Sequence, residues 1–282
     1  MPGTITARLR HLRHGKLKFM SPVWLVMGKM FRFGVKSFAG KAKVSQMIGA
    51  YGPFKLSAYF AFSNFEAWGG GHNNGFVATV EACRGKTCFL DVGGHIGLVT
   101  LPVASVLAPG AKIFAFEPSQ VNAVCLRQHA QWNGFDNVTV IEALVGDETM
   151  LMRFFESPEV SGQNAQVVKK NPAAYQEVER QQITLDDFCN ERRLVPDVIK
   201  IDVEGAEVKV LAGARELLRK HKPTILLSVH PFEIGLMGES IENLTSLIDS
   251  LGYKCTEIDG APVQEFRLSE YLLTPEKVPE IV

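Results

Sequence analysis

The stretch Thr87-Cys-Phe-Leu-Asp-Val-Gly-Gly-His-Ile-Gly97 decides the fold that the sequence predicts. A short apolar run ends in Asp91, the glycines Gly93, Gly94 and Gly97 follow, and an apolar pattern with helical spacing continues to about residue 107. A strand, a glycine turn and a helix in this order open the nucleotide-binding α/β folds. Glycines let a ligand approach bare backbone, and a helix N-terminus offers N–H groups to a negative ligand group.

The glycine spacing differs from the dinucleotide fingerprint, because Val92 stands where the first glycine of that motif would be. Asp91 precedes it, and an acid at the strand tip repels a pyrophosphate but suits a ligand that carries an ammonium group. S-adenosylmethionine carries an ammonium, a carboxylate and a sulfonium group. The alternative is a tight turn whose glycines serve packing alone. We predict that this methyl donor is bound by the turn residues Asp91, Gly93, Gly94, His95 and Gly97.

Two further strands are predicted to complete the donor site. Residues 111–116 form an apolar strand that ends at Glu117, 26 residues after Asp91, roughly the spacing at which an acid reaches a ribose diol. Residues 138–141 form a third strand, and the residues at its tip would border the adenine. The alternative for each acid is an ordinary surface side chain at a strand end. The predicted nucleoside contacts are Glu117, Pro118, Glu142 and Ala143.

The composition favours a single α/β domain with an N-terminal extension. At 282 residues and 46% hydrophobic content, the chain is long enough to bury a large core. The five cysteines are odd in number and scattered, without C-x-x-C or zinc spacing, so we expect reduced thiols in the cytoplasm. We find no signal-peptide pattern and no apolar run near the ~20 residues of a membrane span.

The charge is distributed unevenly along the chain. Residues 1–65 hold 11 Lys/Arg and no Asp or Glu, and the remainder carries 19 basic and 30 acidic residues, a net charge of −11. After a basic arm, Ser21-Pro22 predicts the start of an amphipathic helix with a basic face. That helix could lie on the inner face of an anionic membrane. The alternative is that it packs on the catalytic domain or on a second subunit, as in a homodimer.

Two loop-rich segments are predicted to build the acceptor pocket. Residues 51–75 are dense in aromatics and glycine, and Trp68 could stack on a ligand. Residues 157–182 are polar without clear periodicity, which suits a lid. For the first segment, an ordinary surface connection is the alternative. We therefore divide the chain into a basic arm and helix (1–50), an aromatic segment with a helix (51–84) and the catalytic domain (85–282).

The candidate catalytic residues follow two later strands. Residues 197–205 and 223–231 each read as a strand, and the carboxyl ends of parallel strands are where such sheets bind ligands. We predict that Asp202, Glu204 and His230 meet there, with His230 as general base because its ordinary pKa lies near neutrality. Asp202 could orient the acceptor or act as the base itself. Glu204 and Glu207 would hold the turn, and since the spacing demands no metal we predict none.

These motifs resemble one family. Asp91-Val-Gly-Gly-His-Ile-Gly-Leu98, Phe116-Glu-Pro118, Thr184-Leu-Asp-Asp-Phe188 and above all Ile199-Lys-Ile-Asp-Val-Glu-Gly-Ala-Glu207 resemble the FkbM-type S-adenosylmethionine-dependent methyltransferases. The resemblance spans roughly residues 85–260. It implies a class I methyltransferase fold, an α/β Rossmann-like fold with a mostly parallel seven-stranded sheet and helices on both faces, here with an N-terminal helical extension.

The resemblance also implies site roles and an activity. It places Asp91, Gly93 and Gly97 on the loop that binds the methionine part of the donor, Glu117 on the ribose, and Asp202 and Glu204 beside the transferring methyl. The family often has a Glu two residues before the late His. Here Ser228 stands at that position, so no role of that acid is carried over.

The implied reaction is O-methylation of a hydroxyl on a small molecule such as a sugar, a glycolipid or a secondary metabolite. Two other functions stay open. The first is a donor-binding but catalytically silent module attached to a membrane or a biosynthetic complex. The second is a nucleic-acid methyltransferase, which the net charge of −11 after residue 65 and the lack of an N/D-P-P-Y motif disfavour.

Overall fold

The structure, a computed structural model, describes residues 42–160, 164–166 and 175–276. The predicted basic arm and the helix from Ser21 lie outside these residues, as do residues 161–163 and 167–174 of the lid predicted over 157–182. The chain divides into two units. The described part of the first comprises residues 42–68 with Trp132–Gly134, and the second comprises Gly69–Gln131 and the residues from Phe135 onward.

The first unit contains a β-hairpin that the sequence did not predict. Strands β1 (Lys43–Ile48) and β2 (Tyr51–Ser57) pair antiparallel, and two short 3₁₀ turns follow at Ala58–Phe60 and Phe65–Ala67. Gln46 is buried and donates its side-chain amide to the carbonyl of Phe60. The aromatic and glycine content of residues 51–75 predicts that this segment forms no long helix, and the short elements found there agree with that prediction.

The second unit is built on a seven-stranded sheet. Its strands are β3 (Cys88–Val92), β4 (Lys112–Phe116), β5 (Val138–Ile141), β9 (Val198–Ile201), β10 (Thr224–Val229), β11 (Tyr253–Glu257) and β12 (Ser269–Pro275). Their spatial order is β11-β12-β10-β9-β3-β4-β5. The five strands from β10 to β5 pair in parallel, and β12 pairs antiparallel with both of its neighbours. The predicted α/β fold with a mostly parallel seven-stranded sheet is confirmed.

Both faces of this sheet are covered. All five residues of β3 and all four of β9 are buried, which is why these strands read as continuous apolar runs rather than as an alternation. Leu90 and Ile199 are register partners and point into the large apolar core. Asp91 and Lys200 are the next pair, so both lie on the opposite face. Two charged residues therefore lie side by side within a buried layer.

Eight α-helices lie in the described part of the chain, most of them in the connections between strands. They are α1 (Phe76–Ala82), α2 (Thr100–Ala104), α3 (Gln120–Trp132), α4 (Leu185–Arg192), α5 (Glu207–Ala212), α6 (Arg215–His221), α7 (Pro231–Leu236) and α8 (Ile241–Ser250). Thr184 caps α4 and Ser240 caps α8 through their hydroxyls. None of the described helices is long and apolar enough to cross a bilayer.

Part of the polar stretch predicted as a lid is a strand. Gln176–Ile183 forms β8, which pairs antiparallel with β7 (Met150–Glu156) and in parallel with β6 (Leu144–Val145). Its sequence is mostly polar because four of its eight residues are exposed and only one is buried. Without an apolar alternation, periodicity alone could not reveal this strand.

The sequence pattern also predicts a helix from Ile96, one helix over 206–220 and a strand over 265–268, and each of these bounds was wrong. The first helix begins at Thr100, because Gly97 has a φ of +93° and continues the turn. The second is two helices that meet at Gly213, where the carbonyl of Gly146 lies at the position that a Cβ would take. The strand predicted over 265–268 begins instead at Ser269, where pairing with β10 starts.

Candidate functional site

The glycine turn after β3 and the acidic turn after β9 are in direct contact. A Cβ on Gly93, whose φ is +93°, would lie 1.9 Å from the carbonyl oxygen of Asp202. The backbone N–H of Asp202 also donates to the carbonyl of Val92. Only a residue without a side chain allows this approach. The two motifs that the sequence singled out therefore form one site at the carboxyl edge of the sheet.

Asp91 lies beneath this turn and is 1% exposed. Its Oδ2 accepts a hydrogen bond from the hydroxyl of Thr100 at 2.6 Å, while Oδ1 is buried without a hydrogen-bond partner among the described residues. Burial raises the pKa of Asp91, and the nearby Lys200 acts in the opposite direction. A buried acceptor without a partner is a place where a ligand N–H could bind.

Lys200 is a buried cation next to this carboxylate. Its Nζ donates to Oδ2 of Asp202 at 3.0 Å, and the side chain is 3% exposed. Burial alone would lower the pKa of Lys200, but Asp202, Asp91 and Glu270 raise it above its ordinary value. Lys200 therefore stays charged, and it fixes one oxygen of Asp202.

Glu270 brings a further carboxylate to the same face of the sheet. It is the register partner of Ser228, whose hydroxyl lies 3.3 Å from its Oε1. Its Oε2 accepts the backbone N–H of Gly75 at 2.7 Å, and Asn74 accepts the backbone N–H of Glu270. The end of the glycine-rich segment, residues 74–75, is therefore fastened to β12 beside Lys200.

Glu117 holds the other side of the glycine turn. Its Oε2 accepts the backbone N–H of His95, and its Oε1 accepts the backbone N–H of Ser119 and the amide of Asn122. Burial raises the pKa of Glu117 to about 7, although these three hydrogen bonds act to lower it. The structure places Glu117 at the tip of β4 as predicted. Its contacts within the chain show that it also maintains the turn.

His95 and His129 complete the turn. His95 has a φ of +48°, unusual for a residue with a side chain, and its Nε2 is buried without a hydrogen-bond partner in the described part of the chain. Burial lowers the pKa of His95 to about 4, so the ring is neutral. His129 on α3 is also neutral, with a pKa lowered to about 4 by burial, and its Nδ1 lies 2.9 Å from the carbonyl of Ile96.

The residues predicted to border the adenine lie near the tips of β4 and β5. Ala143 is buried, and the exposed Glu142 forms an ion pair with Arg127 on α3. Pro118 offers its carbonyl to Arg180 of β8. The buried hydroxyl of Ser119 has no hydrogen-bond partner among the described residues, and the backbone N–H of Ser119 donates to Glu117.

His230 lies among three carboxylates. Its Nδ1 is 2.6 Å from Oε1 of Glu207, and its Nε2 is 3.6 Å from Oδ1 of Asp202 and 3.9 Å from Oε1 of Glu204. Asp202 and Glu204 lie on the turn after β9, Glu207 is the first residue of α5, and His230 follows β10. They meet because β9 and β10 are parallel neighbours whose carboxyl ends share one edge. The structure thus brings together Asp202, Glu204 and His230, the three predicted catalytic residues.

The carboxylates govern the protonation of His230. Burial alone would lower its pKa, but the hydrogen bond to Glu207 and the charges of Asp202 and Glu204 raise it to about 9. The pKa of His230 therefore lies above the ordinary value for which it was chosen as the candidate base. The sequence around His230 does not indicate which residues surround it in space. Only the fold brings the three carboxylates close to its imidazole.

Glu204 has a backbone conformation that few residues with side chains adopt, with a φ of +54°. Such strain often persists where a side chain must be held for function.

In the described ranges 42–160, 164–166 and 175–276, no group of three or more His, Cys, Asp or Glu side chains is arranged to hold a metal ion.

Three buried polar residues of the site were missed by the sequence reasoning. Lys200 was read as part of an apolar strand, Glu270 lay beyond the predicted strand, and Thr100 lay inside a predicted helix. A charged residue at the centre of a buried strand is the signal that could have identified Lys200, since an unpaired charge there is costly. No comparable signal exists for Glu270, whose role depends on cross-strand register.

Comparisons with known proteins bear on this geometry. The family model for the methyltransferase FkbM domain matches residues 91–255, which is more than half of the chain. A crystal structure of the methyltransferase FkbM from Methylobacillus flagellatus is 21% identical, with a TM-score of 0.45, over 68% of this chain and 44% of that one. This chain therefore spans less than half the length of that protein.

Other solved structures are similar at lower identity. The precorrin-6y C5,15-methyltransferase from Geobacter metallireducens is 13% identical over 73% of this chain and 89% of its own, with a TM-score of 0.43. TYW2 from M. jannaschii, in complex with AdoMet, is 14% identical over 84% of this chain and 85% of its own, with a TM-score of 0.42. No curated protein matches. By the family match, the chain belongs to the FkbM family of S-adenosylmethionine-dependent methyltransferases.

Proposed function

We propose that this protein transfers a methyl group from S-adenosylmethionine to a hydroxyl of a small-molecule acceptor, such as a sugar, a glycolipid or a secondary metabolite. The observation that carries the proposal is the position of His230 Nε2 beside Asp202 and Glu204, on the turn that abuts the glycine turn. A general base and a donor loop at one sheet edge are what an O-methyltransferase needs.

The residues of the glycine turn fit the donor. The buried Oδ1 of Asp91 is an unpartnered acceptor suited to an ammonium group, and the turn at Gly93 keeps the backbone bare. Glu117 at the tip of β4 could accept a ribose hydroxyl on the oxygen that now accepts the N–H of His95. When bound, S-adenosylmethionine supplies a methyl group on a positively charged sulfur, activated for attack by a nucleophile.

The chain's own residues would position the acceptor and take its proton. In the proposed mechanism, the neutral form of His230 accepts the hydroxyl proton at Nε2, a step typically worth ~10²–10⁴-fold in rate. Asp202 then orients the hydroxyl rather than acting as the base, because Lys200 occupies its Oδ2 and already stabilises its charged form. Glu204 offers a second oxygen on the same side of the imidazole.

The acceptor class rests on charge. Residues after 65 carry a net charge of −11, which opposes a polyanion such as RNA, and we therefore propose that the acceptor is not a nucleic acid. Membrane contact through the helix from Ser21, a homodimer and a cytoplasmic location stay predictions from the sequence. The division into segments 1–50, 51–84 and 85–282 is likewise a proposal.

Calorimetric titration with S-adenosylmethionine and S-adenosylhomocysteine tests the donor site. We expect micromolar binding to the wild type and at least about tenfold weaker binding to Asp91→Asn and Glu117→Gln, since each loses a carboxyl oxygen that would accept a hydrogen bond from the donor. Glu81→Gln is the matched control, because Glu81 is exposed on α1 and its i,i+3 ion pair with the exposed Arg84 is worth little. Folded wild-type protein that binds neither ligand would contradict the proposal.

An acceptor screen then tests the chemistry. Protein incubated with methyl-labelled S-adenosylmethionine and a panel of sugars, glycolipids, polyhydroxylated metabolites and RNA should label a hydroxyl of a small molecule. Transfer to RNA, weakening steeply with salt, would replace the proposed acceptor class. Donor binding without transfer to any acceptor would support the catalytically silent module instead.

A further inference from the structure

The two imidazole nitrogens of His230 have different surroundings. Nδ1 contacts Oε1 of Glu207 at 2.6 Å, a distance typical of a short charge-assisted hydrogen bond. Nε2 lies 3.6 Å and 3.9 Å from the carboxylates of Asp202 and Glu204, too far for a direct hydrogen bond to either. One nitrogen is therefore held firmly within the protein, and the other faces the acidic turn where the acceptor is expected.

Glu207 is an unusual residue for such a position. It is the first residue of α5 and is 0% exposed, although a carboxylate is costly to bury. Its Oε1 also accepts the backbone N–H of Gly205 at 3.2 Å, while Oε2 has no hydrogen-bond partner among the described residues. A single oxygen thus joins the turn after β9 to His230, the residue immediately before α7.

We infer that Glu207 is a positioning residue for the proposed base: it holds His230 through Nδ1 and so keeps the lone pair of Nε2 directed at the acceptor. The inference rests on the proposed function, because it assigns the partner of that same base. A neutral imidazole has one N–H and one acceptor nitrogen. A carboxylate on Nδ1 selects the form with the proton there, and Nε2 becomes the acceptor.

The same contact stabilises the product of the proton transfer. When Nε2 takes the hydroxyl proton, the imidazole becomes a cation, and the charge of Glu207 lies against its Nδ1–H. The charged groups that face His230 are Glu207 from α5 and Asp202 and Glu204 from the turn, all of them acids. Together they account for the pKa of about 9, with Glu207 making the shortest contact.

The alternative role is purely structural, in which Glu207 only holds the N–H of Gly205. Glu207→Gln separates the two roles. A glutamine oxygen can accept from both Gly205 and Nδ1, so the turn and the tautomer persist, but the charge is lost. Under our inference the His230 pKa falls by about one unit or more in this variant, since the charged partner of its shortest hydrogen bond is replaced with a neutral one.

We would measure this by NMR titration of protein labelled with ¹⁵N-histidine, in the absence of donor and acceptor. His230→Gln identifies the His230 signals among the seven histidines. Glu216→Gln is the matched control, an exposed acid in the first turn of the next helix, and should leave the His230 titration unchanged. Equal His230 titrations in the wild type and in folded Glu207→Gln would overturn the inference.

The wild type alone provides a second test, which holds even where Glu207→Gln fails to fold. Above the His230 pKa, the ¹⁵N shifts report which nitrogen keeps the proton. A proton on Nδ1 is expected, and a proton on Nε2 would overturn the inference. Because neither measurement needs methyl transfer, a confirmed Glu207–His230 pair in a protein without any acceptor would contradict the proposed function alone.

Discussion

Among individual residues, His230 connects the geometry of the site to its chemistry. Its three acidic neighbours raise its pKa to about 9, so at pH 7 about 1% of the molecules carry the neutral imidazole that a base requires. A raised pKa also makes the neutral form a stronger base. As the proposed base, His230 would therefore combine a small active fraction with greater basicity.

The rate of methyl transfer should rise with pH until about 9. Between pH 7 and 8 we expect about a tenfold increase in kcat/KM, because the neutral fraction of a group with a pKa near 9 grows tenfold per unit in that range. Steady-state rates from pH 6 to 10, at saturating donor, measure this. His230→Gln should be slower by about 10²–10⁴-fold and lose the slope. A wild-type profile that is flat from pH 7 to 9 would show that His230 is not the base.

At the scale of elements, the site depends on two turns that follow neighbouring parallel strands. β3 and β9 pair from Phe89 to Val92, so the turns that follow them must pass each other closely. Gly93 makes this passage sterically feasible, and the hydrogen bond from Asp202 to Val92 fastens it. The glycine turn and the turn that carries Asp202 are thereby in direct contact.

Gly93→Ala should therefore separate the two turns. The new Cβ meets the Asp202 carbonyl at 1.9 Å, and the left-handed backbone conformation adds strain of roughly 1–2 kcal/mol. We expect loss of S-adenosylhomocysteine binding and a fall in the free energy of unfolding, measured by calorimetry and urea titration. Gly110→Ala is the control, since Gly110 has a φ of +78° but nothing within 4 Å of a Cβ. Equal effects of the two substitutions would mean that strain alone is responsible.

For the whole molecule, the buried core governs the reactivity of the thiols. All five cysteines are free, and burial raises the pKa of Cys88 to about 11 and those of Cys125, Cys189 and Cys255 to about 12. Burial raises the pKa of Cys83 as well. Since the thiolate is the reactive form, the folded protein should present almost no nucleophilic sulfur near neutral pH.

Alkylation with iodoacetamide at pH 8 should hence report global unfolding. We expect no adduct on the native protein within an hour and five adducts in concentrated urea, counted by intact mass. The pH is below every thiol pKa given above, so the native thiolate fraction is about 0.1% or less, compared with roughly a quarter for an ordinary cysteine. Rapid labelling of the native protein at any cysteine would identify a site that opens without global unfolding.

Much of the architecture follows from the sequence alone. The run from Cys88 to Asp91 followed by Gly93 and Gly94 predicts a strand and a tight turn, because buried strands must be apolar and such turns need bare backbone. The polar strand Gln176–Ile183 lacks that signature, and the start of the strand at Ser269 is set by its pairing with β10 rather than by a local pattern. Their prediction therefore failed or was shifted.

The sequence by itself determined the fold class, the family and the identity of Asp202, Glu204 and His230 as neighbours, because the carboxyl ends of parallel strands must meet at one edge. Only the tertiary structure decided the protonation of His230, the burial of Lys200 between two acids and the contact of Glu270 with Ser228. These properties are electrostatic and depend on distances of a few ångströms between residues far apart in the chain. Local patterns carry no such distances, and the folded chain supplies them.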